Sequence, residues 1–300
     1  MSEAGTSVPR ASEWGPGEVL SLLEHERGLR LHLVRRFERG DEGAYEVVDL
    51  QGRRLVLKWV PWREDAAQAA RMTARRLERL RGRGCPIPFV AASGRVGDVL
   101  FEVQEYVDGR RVERVTDGLL EQLLGAVDAQ RGAGLGEGAD WWDFLVGGLF
   151  EDRTPLCRPS ALDGCTAAVK QLVKRLRAVA LDARPPEQAF NDVVHFDFGP
   201  ANVLVDGERL TAILDWQSCR DGDAGYDLVT TDWDLAAWPK ADPEAVERLT
   251  GEIRRTTAPQ AAATYAAHTV LRNLTWSSGT EWEEHIVHTG HSFLDRWTAR

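Results

Sequence analysis

Five short apolar runs with β character occupy the first third of the chain. They cover residues 29–38, 43–50, 53–60, 88–93 and 98–107. The connection at 50–53 is typical of a hairpin turn, and a short amphipathic helix is predicted between Gly17 and Gly28. Residues 64–82 are rich in Ala, Arg, Glu and Leu, which predicts one helix inserted between the strands. We therefore expect a mostly antiparallel sheet with one inserted helix over residues 1–107.

After Asp108 and Gly109 the apolar positions change to the 3.6-residue period of amphipathic helices. The predicted helices cover residues 115–131, 160–182, 224–238, 243–256, 259–277 and 281–298. Residues 191–216 are an exception, because their pattern predicts a loop, a short strand, a turn and a second short strand. The pattern thus indicates an α+β protein with a small β-rich part, residues 1–107, and a larger helical part, residues 108–300.

The balance of acidic and basic residues indicates which classes of molecule the protein binds. The 300 residues include 37 Lys and Arg against 47 Asp and Glu, a formal net charge of −10. Nucleic-acid and anionic-membrane binding both depend on an excess of Lys and Arg, so we expect neither partner; a cationic ligand suits the chain better. The four cysteines show no CxxC spacing, and we find no secretory signal and no apolar run long enough to span a bilayer. We expect a reduced, soluble, cytoplasmic protein.

Two other patterns have plain structural interpretations. The glycine tract at 132–138 follows a predicted helix, whereas a dinucleotide-binding fingerprint needs glycines between a strand and the helix that it opens. We predict a flexible loop there. His285, His288 and His291 are spaced by three and could share a helix face toward a metal, but no carboxylate signature accompanies them. Ordinary surface or core-edge histidines are the simpler interpretation.

The residues that indicate a chemistry lie between 195 and 216. Asp197 and Asn202 are five positions apart across a Gly-Pro turn, and Asp215 follows thirteen positions later, after a predicted hairpin. Two oxygen ligands beside a free carboxylate are what Mg²⁺-assisted phosphoryl transfer needs, because the carboxylate can orient the attacking hydroxyl and accept its proton. Asp, Asn and Gly-Pro also favour turns, so the spacing alone leaves an ordinary turn open.

The same segment resembles a known family. The string HFDFGPANVL from His195, the LDW that ends at Trp216 and the GDAGYDL at 222–228 are similar to motifs of the aminoglycoside phosphotransferase and choline kinase-like family. The family loop reads like HGDLxxxN, and here Phe196 and Phe198 replace its glycine and leucine. The resemblance extends over about residues 30–240. It implies a bilobal protein-kinase-like fold with the active site in the cleft.

The resemblance also implies roles for single residues of the helical lobe. Asp197 would be the catalytic base, and Asn202 and Asp215 would hold Mg²⁺. His195 would support the loop, and Asp227 would brace it, although an aspartate near a helix start is also a common N-cap. The implied reaction is transfer of the γ-phosphate of ATP (or GTP) to a hydroxyl group of a small molecule.

Further implied residues would bind the nucleotide in the β-rich lobe. Lys58 would pair with its phosphates, and Gly40 and Gly43 would belong to a short loop that covers them. The backbone of Glu105 and Val107 would bond the adenine edge. Taken alone, the lysine is also consistent with a strand-edge residue kept for solubility, and glycines are common in hairpins.

One departure from the family lies in the helix that follows Lys58. A glutamate partner of the lysine is expected where this chain has Thr73 and Ala74, and Glu64 and Glu78 lie too near the helix ends. The ion pair is therefore absent or made by another acid. This departure keeps a second class open, a catalytically silent nucleotide-binding protein. Against it stands the presence of all three motif residues, the two aspartates and the asparagine.

Acidic residues beside tryptophans indicate the substrate class. Three such clusters occur, around Trp141-Trp142, around Trp233 and around Trp282. Carboxylates attract ammonium groups and aromatic faces cover sugar rings, so we expect a cationic substrate such as an aminoglycoside or related antibiotic. Helix packing for most of the eleven tryptophans, and a metabolic kinase for a small alcohol or amino sugar, remain the alternatives.

Overall fold

The computed structural model describes residues 14–37, 43–154, 157–185, 190–238 and 240–299. Contacts between residues divide the chain into two compact units. The first comprises residues 1–75 and 87–108, and the second comprises residues 76–86 and 109–300. The division after Asp108 lies next to the boundary expected from the change of pattern, whereas residues 76–86 group with the helical unit.

A five-stranded antiparallel sheet forms the first unit, and it follows the runs predicted from the sequence. Its strands are β1 (Leu31–Arg36), β2 (Tyr45–Asp49), β3 (Arg54–Pro61), β4 (Val90–Val96) and β5 (Val99–Glu105), in the order β1-β2-β3-β5-β4. Because side chains alternate across a strand, Leu55, Leu57 and Trp59 all enter the core on one face. The helix α1 (Pro16–Arg27) adds Val19 and Leu23 to this core.

Seven helices of the second unit lie within the described residues after Gly109. They are α3 (Asp117–Gln130), α4 (Trp141–Gly148), α5 (Ala167–Asp182), α6 (Gly225–Ala237), α7 (Pro243–Thr256), α8 (Pro259–Ser277) and α9 (Glu283–Thr298). The inserted helix of the first part of the chain is α2 (Glu64–Gly82), as predicted. Helix α4 was missed, because its sequence WWDFLVGG is too short and too uniformly apolar to show a helical stripe. No helix in the described part of the chain is both long and apolar enough to cross a membrane.

Helix α8 forms the centre of the second unit. It packs against α4, α5, α6 and α9, and most of its 19 residues are buried. Small residues dominate its first half, where Ala261 to Ala263 and Ala266-Ala267 let neighbouring helices approach closely. Its buried residues include the ionisable side chains of Tyr265, His268 and Arg272. A helix buried on all sides therefore carries a charged group into the interior.

Short strands frame the loop that contains Asp197. They are β6 (Arg110–Arg111), β7 (Asp192–Val194), β8 (Val203–Asp206), β9 (Arg209–Ile213) and β10 (Arg220–Gly222). Strand β7 pairs with β10, while β6, β8 and β9 form a separate three-stranded sheet. The β8–β9 hairpin turns at Gly207, whose φ of 61° lies in the left-handed region. The loop of residues 195–202 thus leaves one small sheet and enters the other, which fixes both of its ends.

The glycine tract at 132–138 makes several specific contacts. The carboxylate of Asp221 accepts hydrogen bonds from the backbone N–H of Leu135 (2.6 Å) and Glu137 (2.8 Å). Asp221 is also paired with the buried Arg76 of α2, at 2.7 Å. A Cβ on Gly134 would lie 2.7 Å from the backbone oxygen of Asn191, so glycine is required for this close approach. The tract is a loop, as predicted, and these contacts fix its place in the second unit.

Candidate active site

The carboxylate of Asp197 is held at both oxygens. Its Oδ2 accepts a hydrogen bond from Asn202 Nδ2 at 2.9 Å, and the same amide bonds the backbone oxygen of Asp197. Its Oδ1 accepts one from Arg272 Nη2, also at 2.9 Å. The side chain is nevertheless 53% exposed, so a ligand can reach it. This combination leaves an accessible carboxylate with a fixed orientation.

His195 links the start of the loop to the segment that carries Asp215. Its ring is fully buried, and its Nδ1 accepts from the backbone N–H of Asp197 at 3.2 Å. Its Nε2 lies 2.7 Å from the backbone oxygen of Leu214, which requires the tautomer with the hydrogen on Nε2. The imidazole is thus occupied on both nitrogens by backbone groups, a geometry that supports the loop.

Asn202 and Asp215 are brought close together by a backbone hydrogen bond. The N–H of Leu214, the residue before Asp215, donates to the backbone oxygen of Asn202 at 2.7 Å. Because Asn202 Nδ2 faces Asp197, its Oδ1 is directed away from that carboxylate. Asp215 has a φ of 67°, in the left-handed region that aspartate tolerates better than most residues. An amide oxygen and a carboxylate are the hard oxygen donors that Mg²⁺ prefers, so this pair fits the ion.

Asp227, at the first turn of α6, is a buried acceptor for the loop backbone. Its carboxylate accepts from the N–H of His195 (2.7 Å) and of Phe196 (3.0 Å), and from Gln130 Nε2 at 2.8 Å. Complete burial raises the pKa of Asp227 to about 6, even though these hydrogen bonds favour the ionised form. The position predicted to brace the loop therefore contacts two of its backbone amides.

Asp197 and Asp234 are neighbouring carboxylates whose pKa values are shifted in opposite directions. Burial raises the pKa of Asp197, but the Arg272 guanidinium, His195 and the hydrogen bond from Asn202 together outweigh burial and hold the pKa below its ordinary value. Burial and the nearby charge of Asp197 raise the pKa of Asp234, on α6, to about 8. Asp234 also touches the loop directly, since a Cβ on Gly199 would collide with its Oδ2. Asp234 belongs to the acidic cluster around Trp233 noted in the sequence, but no motif predicted its contact with this loop.

The described residues expected to bind nucleotide belong to the first unit. Gly40 lies outside the described residues, while Gly43 has a φ of 71° just before β2. Lys58 is on β3, and the strand register places Glu102 of β5 directly opposite it. Antiparallel partners that face each other share one side of the sheet, so Glu102 is an acid near Lys58 that sequence spacing did not reveal.

The end of β5 and the residues after it form the predicted hinge. The backbone N–H of Glu105 donates to the oxygen of Phe89 at 2.8 Å, and the Glu105 carboxylate accepts from the Phe89 N–H, also at 2.8 Å. The backbone N–H of Glu105 is therefore already hydrogen-bonded to Phe89, so any bond from Glu105 to an adenine edge would use its carbonyl oxygen. Val107 follows β5 and is half-buried.

The predicted acid–tryptophan clusters are mostly core. Trp141, Trp142 and Trp233 are buried, so their faces cannot cover a sugar ring. Asp232 is buried as well and is paired with Arg296 at 2.8 Å. Trp282 differs, because it is 40% exposed. Its ring meets that of Trp238 edge-to-face at a centroid distance of 4.9 Å. The expectation of packing is thus correct for most of these rings.

The three spaced histidines of α9 form no metal site. His285 Nε2 lies 2.8 Å from the backbone oxygen of Ala237, and His291 Nδ1 lies 2.7 Å from Arg175 Nη1. Nowhere in the described ranges do three or more His, Cys, Asp or Glu side chains cluster in a way that could hold a metal ion. His285 and His291 therefore join α9 to α6 and α5.

A β-sheet unit, a helical unit and a loop that holds an exposed aspartate beside an asparagine define the class of a kinase-like phosphotransferase. A family model described as the phosphotransferase enzyme family matches residues 34–258, three quarters of the chain. The chain belongs to this family, which confirms the resemblance found in the sequence.

Among characterised relatives, the hygromycin-B 4-O-kinase of Escherichia coli is 28% identical over 166 residues. That match covers 48% of this chain and 46% of the relative, so it spans about half the length of each.

Solved structures confirm the protein-kinase-like fold. A thermostable mutant of the aminoglycoside phosphotransferase APH(4)-Ia, in a ternary complex with AMP-PNP and hygromycin B, superposes with a TM-score of 0.68 at 18% identity; it covers 94% of this chain and 99% of that one. Spectinomycin phosphotransferase APH(9)-Ia, in complex with ADP and spectinomycin, gives 0.63 at 12% identity, with coverages of 98% and 99%. At these identities the likeness establishes the fold.

Proposed function

We propose that the protein transfers the γ-phosphate of ATP (or GTP) to a hydroxyl group of a small-molecule antibiotic. The observation that carries this proposal is the geometry around Asp197, an exposed carboxylate fixed by Asn202. The backbone oxygen of Asn202 in turn accepts a hydrogen bond from the N–H of Leu214, the residue before Asp215. Family membership and the fold supply the reaction class. Related proteins crystallised with hygromycin B or spectinomycin support an antibiotic as the acceptor.

In this mechanism Asp197 orients the acceptor hydroxyl toward the γ-phosphate and takes its proton. Its fixed carboxylate needs no reorganisation when the substrate arrives, which is where positioning contributes to rate. Asn202 and Asp215 would hold Mg²⁺, and the ion would supply positive charge to neutralise the phosphate oxygens. Asp227 and His195 keep the loop backbone in place by the hydrogen bonds described above.

On the nucleotide side, we assign the phosphates to Lys58 and to the loop that includes Gly43, and the adenine edge to the backbone around Glu105 and Val107. Family resemblance supports these assignments. Glu102 is our candidate for the acid that pairs with Lys58, because it lies opposite the lysine in the sheet. A lysine held by a neighbouring carboxylate is pre-oriented for phosphate, as in other kinases.

We propose a cationic acceptor, bound through Asp234 and the Trp238–Trp282 pair. Trp238 follows the last residue of α6, one helical turn beyond Asp234, and its backbone N–H donates to the Asp234 carbonyl at 2.9 Å. An ammonium group beside Asp234 would favour its ionised carboxylate, and the exposed Trp282 offers an aromatic face. A neutral metabolic alcohol or sugar would gain little from this arrangement.

The test is a phosphorylation assay with Mg²⁺ and ATP over a panel of aminoglycosides, other antibiotics, amino sugars and small alcohols, read by mass gain of one phosphate. Asp197→Asn should lower kcat by roughly 10²–10⁴ while nucleotide affinity persists, because only the proton acceptor is lost. Asp206→Asn, at the exposed end of β8, is the matched control. Near-normal turnover by the Asp197 variant would refute the assignment, and nucleotide binding without turnover would indicate a silent protein.

A further inference from the structure

Arg272 of α8 reaches the candidate active site from beyond the stretch matched by the family model, which ends at residue 258. Its side chain is 9% exposed, and its guanidinium donates to Asp197 Oδ1 (2.9 Å), the Tyr226 hydroxyl (3.2 Å) and the backbone oxygen of Phe196. A buried charge is costly unless it is paired and hydrogen-bonded. These contacts therefore show a guanidinium held in one place, with Asp197 as its acidic partner.

Phe196 explains how the guanidinium is held. Its φ of 76° lies in the left-handed region, which bulky residues avoid, and it stands where the family motif has glycine. This backbone conformation directs the Phe196 carbonyl to Arg272, while the Phe196 ring lies 4.7 Å from the guanidinium carbon. The ring also stacks on Tyr226, with centroids 5.1 Å apart. One residue thus supplies both a hydrogen-bond acceptor and an aromatic face.

Behind Tyr226 the contacts continue into the core. The Tyr226 hydroxyl lies 2.9 Å from His268 Nδ1, one turn before Arg272 on α8, and both rings are fully buried. Arg272 Nε has no hydrogen-bond acceptor in the described part of the chain. An orphaned buried donor lowers stability, so packing alone gives no reason to keep an arginine at this position.

We propose that Arg272 is a positioning residue that holds the Asp197 carboxylate in the orientation needed for phosphoryl transfer, with Phe196 and Tyr226 as its anchors. This inference rests on the proposed function. Asn202 fixes one carboxylate oxygen and Arg272 fixes the other, so loss of Arg272 lets the half-exposed carboxylate rotate. The charge that determines this geometry lies on a helix outside the catalytic motif.

The first test compares Arg272→Met, Arg272→Lys and the surface control Arg255→Met, whose arginine pairs with Glu252 on α7. Arg272→Met should lower kcat about 100-fold with nearly unchanged nucleotide affinity and acceptor KM, since only orientation is lost. Arg272→Lys should recover about tenfold of that loss, because it restores a cationic donor. Equal loss of binding and turnover, or no recovery by lysine, would overturn the proposal.

A double-mutant cycle separates positioning from a general structural defect. In the Asp197→Asn background Arg272→Met should cause less than about a twofold further loss of kcat, because the positioned group is already gone. Additive losses would contradict the proposal. Tyr226→Phe, which keeps the ring and removes one partner of Arg272, tests the same point if Arg272→Met folds poorly. It should lower kcat several-fold in wild type and leave the Asp197→Asn background unchanged.

Crystal structures of wild type and Arg272→Met give a readout that does not depend on turnover. We expect one Asp197 rotamer in wild type and more than one, or a different one, in the variant. An unchanged rotamer refutes the positioning role, whatever reaction the protein catalyses. A changed rotamer in a protein that phosphorylates nothing on the panel would instead support the positioning and refute the proposed function.

Discussion

At the scale of single residues, the site depends on a few side chains in unusual surroundings. Phe196 adopts a left-handed conformation at a position where glycine would be free of strain. Two hydrogen bonds offset that strain. Asp227 accepts one from the Phe196 N–H, and Arg272 donates one to the Phe196 carbonyl oxygen. Strain of this kind persists only where the surroundings impose it, and here the strained residue, Phe196, directly precedes Asp197.

Asp215 gives the prediction for the metal. Asp215→Ala should weaken nucleotide binding at low Mg²⁺ by at least about tenfold, and the loss should grow as Mg²⁺ is lowered, because a direct ligand is removed. Isothermal titration with a non-hydrolysable ATP analogue at several Mg²⁺ concentrations measures this. Asp206→Ala, in the same hairpin region, controls for lost charge. The same Mg²⁺ dependence in wild type and the Asp215 variant would assign Asp215 another role.

Asp234 gives a pH prediction. Its pKa of about 8 in the fold exceeds the value near 4 of an unfolded aspartate, so the folded state favours its protonated form. This stabilisation is complete below pH ~4 and is lost as the pH rises through about 8. Asp234→Asn does not titrate, so its stability relative to wild type should increase between pH 5 and pH 8.

Urea denaturation at the two pH values measures that difference. Asp143→Asn, an exposed acid on α4, controls for the loss of one negative charge. A difference between Asp234→Asn and wild type that stays constant from pH 5 to pH 8 would contradict the raised pKa.

At the scale of elements, the periodicity located nearly all helices and the five-stranded sheet, since each buries one face. It missed α4, and it placed the start of α5 at residue 160 rather than Ala167, because residues 159–162 form a separate 3₁₀ turn. The contacts that hold the glycine tract were not predicted because Asp221, which accepts from Leu135 and Glu137, lies 86 and 84 residues away in sequence. Contacts of that separation leave no local pattern.

The Arg76–Asp221 pair gives the prediction at this scale. Both side chains are buried, and they join α2 to β10 and the glycine tract. Arg76→Met should lower the free energy of unfolding by about 3–5 kcal/mol, because it leaves the Asp221 charge buried without its partner. Urea denaturation measures this loss. Arg75→Met, at an exposed position of the same helix, should cost well under about 1 kcal/mol, and equal losses in the two variants would contradict the role of the pair.

At the scale of the whole molecule, the excess of acids bears on the substrate. With a net charge of −10, the protein should attract cationic acceptors over distances that salt screens. The KM for a polycationic antibiotic should rise several-fold between about 0.05 and 0.5 M salt. Steady-state kinetics measure it, with a neutral hydroxyl compound as the control. A neutral or anionic compound phosphorylated best, with a KM indifferent to salt, would refute the cationic acceptor and leave the phosphotransferase class intact.

The catalytic motif could be recognised in the sequence because its residues are close together. Asp197, Asn202 and Asp215 lie within 19 positions, and their types and spacing already indicated metal-assisted phosphoryl transfer. The short range also explains why the strands around them were predicted. A hairpin and a Gly-Pro turn are local structures, governed by the conformational preferences of the residues that form them.

The surroundings of the motif were decided by tertiary structure. Arg272 and Asp234 reach the loop from α8 and α6, and only the packing of these helices shows that one cation and one acid flank Asp197. The same packing buried Trp141 and Trp233, which the sequence alone could not distinguish from exposed rings. Sequence determined the elements and the motif, since both depend on local periods and spacings. The electrostatics of the site depend on distances between residues far apart in the chain, which exist only once the helices pack.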